Sequence, residues 1–291
     1  VLALLVSLIN EAGIAGKYVT VYDATQNRKY MRGKIPKRIY NYCTAPKGEL
    51  FNVNWISSYA DEGIGEKSLT ENVLHYSVTE ENLCGRQIPH CVKNAKYIIN
   101  MALLKGHDTC GFSLTAKNHY GTINKGKDHK YIDPLNTEVG GPVPKYSPLV
   151  DLIASPELGG KTLLFMIDGL FGCPGSVSSP VPFASQPFDG HFPSSLFFSL
   201  DPIAIDSVGA DILKQVYDDK YQLGKDKRVT PKLPLADNYL HEGALFAEAP
   251  SGTDYTQEGA ELKSLGVHEH GDFSKKKISE RYKTIELLYN R

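Results

Sequence analysis

Tyr97-Ile-Ile-Asn-Met-Ala-Leu-Leu104 runs straight into Lys105-Gly-His-Asp108. An apolar run of this length, closed by a polar turn, reads as a central strand covered on both faces. Lys161-Thr-Leu-Leu-Phe-Met-Ile-Asp168 repeats the pattern and ends on a carboxylate, and Leu196-Phe-Phe-Ser199 is a shorter third case. Helix signals lie among these runs. Residues 146–154 carry Leu149, Leu152 and Ile153, and Asp201-Pro202 opens a helix to about Tyr217, with Asp as N-cap and Pro in the first turn. Residues 1–12 place Leu2, Leu5, Val6 and Ile9 on one helix face, and Gly13 and Gly16 then lead to the strand Tyr18-Val-Thr-Val-Tyr-Asp23. A further strand is expected at 73–78, and a helix broken by Pro36 at 28–43.

This alternation predicts an α/β fold: a layered domain with a mostly parallel or mixed central sheet flanked by helices. The segments 97–104, 161–168 and 196–199 are expected to be neighbours in one sheet, with helices 1–12 and 202–217 packed on it. The core domain is placed at 1–217. Residues 172–195, rich in Pro, Ser and Gly, read as a long irregular loop, and its Phe183, Phe188 and Phe192 as a partner patch. Residues 218–230 read as a charged linker or hairpin. Residues 218–291 read as an irregular C-terminal extension packed on the core.

Composition narrows the function. The 291 residues hold 32 Lys and Arg against 33 Asp and Glu, a net charge of −1. That balance makes no field to steer a polyanion, so no nucleic-acid partner is expected. No run reaches the roughly 20 apolar residues of a spanning helix, so no transmembrane segment is expected. Five cysteines without a C-x-x-C read as free thiols or one bridge, and no iron–sulfur cluster is expected from this chain alone. The zincin, serine-hydrolase and dinucleotide fingerprints are absent. The start at Val1 lacks the basic stretch of a signal peptide, and the expectation is a processed or incomplete N-terminus.

Ligands of open α/β sheets collect beyond the C-terminal ends of the strands. Asp23, the turn 105–108, Asp168 and Asp201 stand there. The stretch Leu104 to Thr122 is dense in polar groups and glycine. Lys105, Lys117 and Asn118 are candidates to hold a small anionic ligand, with His107, His119 and Asp168 as proton-moving or orienting residues. Asp206 lies inside the helix after Asp201 against Gly209 and Ala210. A buried carboxylate needs a partner, and Lys117, a metal, a backbone amide or a hydroxyl would each serve. In an extended segment His268 and His270 share a face and could bind one divalent metal, with Asp201 as a further ligand or, alternatively, only a helix cap.

Several of these stretches resemble one family. Asn100-Met-Ala-Leu-Leu-Lys-Gly-His107, Ser113-Leu-Thr-Ala-Lys-Asn-His-Tyr-Gly121, Asp168-Gly-Leu-Phe-Gly172 and Ser194-Ser-Leu-Phe-Phe-Ser-Leu-Asp-Pro-Ile-Ala-Ile-Asp-Ser-Val-Gly209 are similar to motifs of domain-of-unknown-function family 362. The tail segments Ala236-Asp-Asn-Tyr-Leu-His-Glu242, Pro250-Ser-Gly252 and Ser264-Leu-Gly-Val-His-Glu-His270 resemble a bacterial branch of it. The resemblance implies no agreed reaction. Some members are fused to ferredoxin-type domains, and members of the branch often carry a twin-arginine export signal. It therefore implies an exported or periplasmic protein, with a cytoplasmic one as the alternative. Two functional readings follow: a metal-assisted enzyme acting on a small anionic ligand, or a non-catalytic binding or accessory protein of the cell envelope or of a redox assembly.

Overall fold

The structure is a computed structural model that describes residues 4–5, 7–23, 53–57, 69–78, 84–123, 129–175, 179–184, 186–218, 230–245 and 249–287. The stretches 28–43 and 219–229, with their expected helix and linker, lie outside the described residues. Two compact units are present: Val1–Glu71 with Gln87–Ala95, and Asn72–Arg86 with Lys96–Arg291.

In the first unit, β1 (Thr20–Asp23) pairs in parallel with β2 (Asn54–Ser57). A helical turn over Ser7–Glu11 buries Ile9 beside Leu5 and Val53, with Val19 and Val21 packed against them. Leu5 and Ile9, of the apolar face foreseen for residues 1–12, are thus used within this unit. A short helix α1 (His90–Lys93) completes its regular structure among the described residues.

The second unit is built on a mixed four-stranded sheet. β3 (Ile98–His107) turns through residues 108–110 into β4 (Gly111–Ser113), β5 (Thr162–Cys173) lies parallel to β3, and β6 (Ser195–Ser199) lies antiparallel to β5. The order is β4-β3-β5-β6, so the three apolar segments are neighbours as expected. On one face pack α2 (Thr115–Thr122) and α4 (Pro202–Asp218), with α3 (Pro148–Ala154) and α5 (Asn238–Ala244) stacked outside them. Ala102, Leu104, Phe165 and Ile167 are buried beneath them. Gly209 lets α4 approach: a Cβ there would sit 3.0 Å from Leu114 Cδ2 and 3.1 Å from Ile167 Cδ1.

Three expectations are corrected. Among the described residues of this unit, the helices cover one face of the strands, not both. Register sets Leu103, Asp168 and Leu196 side by side on the other face, where Leu103 is 54% and Leu196 48% exposed. Asp168 is not at a strand end: β5 continues to Cys173, and the Asp168 carboxylate accepts the Leu170 N–H at 3.0 Å. Residues 73–78 make no strand, because Ser77 gives both its N–H and its hydroxyl to the Asp151 carboxylate rather than to a ladder. The aromatic loop also turns inward at Phe183, which is buried edge-on to Phe188 and fills the space left by Gly172.

Replacing Gly209 with Val would force side-chain volume into the α4–sheet contact. The expected outcome is a loss of about 2 kcal/mol, read as a lower urea midpoint at unchanged slope.

Candidate metal centre

Helix α4 organises the site. Its N-cap is Asp201, whose Oδ1 accepts the Ile203 and Ala204 N–H groups at 2.8 Å each. The other oxygen accepts the Val267 N–H at 2.9 Å, which fastens the tail to the start of the helix. Gly266 makes this approach possible, since a Cβ there would lie 1.9 Å from Asp201 Oδ1. Asp201 therefore serves as cap and tail anchor and stands apart from the group of converging ligand atoms.

From Val267 the tail runs along α4 and aims its two histidines. His268 Nδ1 lies 2.8 Å from Ser207 Oγ, whose single proton is given to the Ile203 carbonyl at 2.7 Å. The hydroxyl can then only accept, so Nδ1 carries the imidazole proton and Nε2 is bare. His270 Nδ1 lies 3.1 Å from Asp211 Oδ1, with the same consequence for its Nε2. Asp211 Oδ2 also accepts the Gly271 N–H at 2.7 Å and the Tyr282 hydroxyl at 3.1 Å, so the carboxylate is itself held.

Helix α5 supplies the other half. Asp237 at its N-cap and His241 one turn later face the same way. His241 Nε2 is 3.3 Å from His268 Nε2, His270 Nε2 is 3.5 Å from Asp237 Oδ2, and His241 Nε2 is 3.7 Å from the same oxygen. All four ligand atoms lie within 4.8 Å of one another. Ligands about 2.1 Å from a tetrahedral metal stand about 3.4 Å apart. Three of the distances are near that value without any rearrangement.

The electrostatics suit a cation. Burial opposes ionisation of Asp237, yet the hydrogen bond with His241 and the Lys214 ammonium on Oδ2 hold its carboxyl well below the usual range. Burial and the neighbouring His241 and His270 push His268 down to about 3, so it is unprotonated at neutral pH. The side chains of His241 and His270 are 46% and 51% exposed, which leaves the outer side of the centre open.

The other candidates are distributed over two networks. Asp206 is fully buried and receives four hydrogen bonds: Thr115 N–H at 2.9 Å, Thr115 hydroxyl at 2.8 Å, Ala116 N–H at 3.0 Å and Tyr239 hydroxyl at 2.8 Å. Burial raises its carboxyl, while the amides and hydroxyls at the start of α2 work the other way. Asn118 and His119 join α2 to β3 through Asn100, whose amide donates to His119 Nε2 at 3.0 Å and whose oxygen accepts from Asn118 at 2.8 Å. His107 Nδ1 accepts the Thr109 N–H at 3.0 Å within its own turn. Lys117 and Lys105 stand near His107 and act on it electrostatically. Asp168 shares no hydrogen-bond partner with any of them among the described residues.

A family model for a domain of unknown function, DUF362, matches residues 1–211. The chain belongs to this family. The DUF362 match ends on Asp211, so Ser207 and Asp211, which aim the imidazoles, fall inside it, and the four converging side chains fall beyond it. No curated protein and no solved structure matches the chain.

Sequence reasoning missed Asp237 and His241. Their signal was the Asp-x-x-x-His spacing, one helical turn, in Asp237-Asn-Tyr-Leu-His241.

Asp206→Ala would strand two backbone amides and two hydroxyls. A loss of about 4 kcal/mol is expected in chemical denaturation. A second outcome concerns acid. Burial holds His119 at about 4, and burial with Lys117 holds His107 at about 3, both below their unfolded value of 6.5. The unfolded chain therefore binds more protons between these values. The contribution is complete above pH 6.5 and is lost as pH falls from there through the folded values. Melting temperature should be level near pH 7 and fall toward pH 4, with a shallower acid limb in His119→Gln.

Proposed function

We propose that this DUF362 member binds a divalent first-row transition metal through Nε2 of His241, His268 and His270 and Oδ2 of Asp237, and acts there on a small anionic ligand. The observation that carries this is the convergence of three imidazoles, two of them aimed by Ser207 and Asp211, and one carboxylate at near-tetrahedral spacing. Three nitrogens and one oxygen suit zinc, iron, cobalt or nickel, and do not suit calcium or magnesium, which prefer oxygen alone. Such a metal supplies Lewis acidity and a bound water of lowered pKa.

The chain's own residues do the rest. Ser207 and Asp211 hold the ring orientations, so little is lost to ordering when the ligands close. Lys214, on the oxygen that Asp237 turns to the centre, supplies a positive charge for an incoming anion. The exposed flanks of His241 and His270 give that anion its approach.

A second reading is a non-catalytic binding or accessory protein. It is favoured by the open sheet face, where Leu103, Leu196 and Phe198 are each about half exposed. Turnover of an anionic ester by the metal-loaded chain would separate the two.

The test of the metal reading is titration of untagged, chelator-stripped protein with Zn²⁺. One ion per chain is expected, with a rise in melting temperature that chelator reverses. Asp211→Ala leaves all four ligands in place and should weaken binding by about 10- to 100-fold, and Asp237→Ala by more. Affinity should fall as the solution is made acid, because protons compete with the metal for the ligand atoms. Binding that is unchanged in His268→Ala and His270→Ala would end the proposal.

A further inference from the structure

A second site stands on the other side of α5. Cys110, Phe112, Lys117, Tyr131, Tyr146 and Tyr239 are among the walls of a small aromatic cleft that opens to solvent and has about 30 Å³ of room. Two buried lysines line it, and the fold treats them differently. Lys145, 4% exposed, gives its ammonium to the carbonyls of Asp133 at 2.9 Å, Asn136 at 2.5 Å and Val139 at 3.5 Å. Lys117, 8% exposed, has no carboxylate, carbonyl or hydroxyl partner among the described residues. Its Nζ lies over the Tyr120 ring, 5.0 Å from the centroid.

A buried ammonium needs an acceptor, because burial removes its water and a ring face returns only part of that loss. The walls provide none. The residues around the cleft include two lysines and no Asp or Glu. Two carboxylates stand behind the walls, and each is reached only through a phenol: Tyr239 donates to Asp206 at 2.8 Å and Tyr146 to Asp151 at 2.5 Å. Cys110 keeps its proton, since burial pushes that thiol up to about 11, and its hydrogen goes to the Phe112 carbonyl at 3.0 Å. The Asn238 oxygen accepts the Lys145 N–H at 3.1 Å, and the Asn238 amide donates to the Lys145 carbonyl at 2.7 Å. Burial lowers the Lys117 pKa from the ordinary lysine value, and an anion beside the ammonium would work the other way. The missing partner of Lys117 is therefore a group from solution.

We infer that the cleft holds one small monatomic anion, chloride, against the Lys117 ammonium. Size selects the ion. A water needs about 10–15 Å³ of such room, so about 30 Å³ seats one or two particles of that size. A chloride ion is slightly larger than a water molecule and fits. Sulfate, phosphate and carboxylates carry several heavy atoms each and do not. Charge selects it as well, since two lysines without a carboxylate repel a cation, and a neutral water would leave the buried charge uncompensated. The ion would join α2, which carries Lys117, to the walls that α3 and α5 contribute through Leu149 and Tyr239. The site is independent of the metal centre, since Asn238 and Tyr239 of α5 face the cleft and Asp237 and His241 face the metal ligands.

The experiment uses the full chain, stripped of metal by chelator, in chloride-free buffer, so its result does not depend on the metal reading. Sodium chloride is titrated against sodium gluconate at equal ionic strength, with melting temperature and the chlorine NMR line width as readouts. Chloride, and not gluconate, should raise the melting temperature by about 3–5 °C at ten times its midpoint concentration. The chloride line should broaden with protein, and bromide should reverse the broadening by competition. Lys117→Met removes the charge at similar length, and Leu235→Trp fills the room from a half-buried wall with the ammonium untouched. Each should lose both responses while its circular dichroism stays unchanged. Equal rises with chloride and gluconate would be general screening and overturn the inference. So would a chloride response that survives in Lys117→Met, or a sulfate rise as large as that of chloride, which would require a larger site. No chloride response at all would leave Lys117 a neutral amine and overturn it too.

Discussion

The interaction on which the second unit depends is the Asp206 carboxylate. Carried on α4, it joins α2 and α5, through Thr115 and Ala116 on the first and Tyr239 on the last. A charge so deeply buried is tolerable because every acceptor position is used, two of them by amides that no carbonyl of α2 can reach. The interaction is one of orientation more than of affinity. It fixes the start of α2 against α4, and with it the rotation of α5.

From that rotation the rest follows. One side of α5 turns Tyr239 and Asn238 toward the aromatic cleft, and the other turns Asp237 and His241 toward the tail. Helix α4 is used on several faces as well. Asp206 points to α2, while Ser207 and Asp211, one turn apart, receive the histidines of the tail. A single turn of displacement in α4 would take the imidazoles off their partners and move Lys214 off Asp237.

The strands at 97–104, 161–168 and 196–199 were legible because short unbroken runs of Ile, Leu, Phe and Met, each closed by a polar turn, suit a sheet and are too brief for a buried helix. The Asp201 cap was legible because Asp-Pro before an apolar stripe satisfies orphan amides in a known way. What lay across the sheet was not. An apolar run does not say whether its second face is covered, and here Leu103 and Phe198 are left exposed. The strand expected at 73–78 failed because a distant side chain, Asp151, took the hydrogen bonds of Ser77. Half of the candidate metal centre, His268 and His270, was visible as an alternating pair. Asp237 and His241 were not, since each is ordinary in its own segment and the match to the tail arises only in three dimensions.

The docking of the tail on α4 has a consequence for biosynthesis. Ser207 meets His268 across 61 residues of chain, and Asp211 meets His270 across 59. Synthesis runs from the N-terminus, so the sheet and α4 can be complete while the ligands are still being made. The aimed acceptors on α4 then wait for a segment that closes a long loop onto a finished surface. A ribosome that stops before residue 268 would release a chain that has α1 to α5 and the four-stranded sheet but lacks two of the four candidate ligands. The four candidate ligands thus come together only after segment 268–270 has been made.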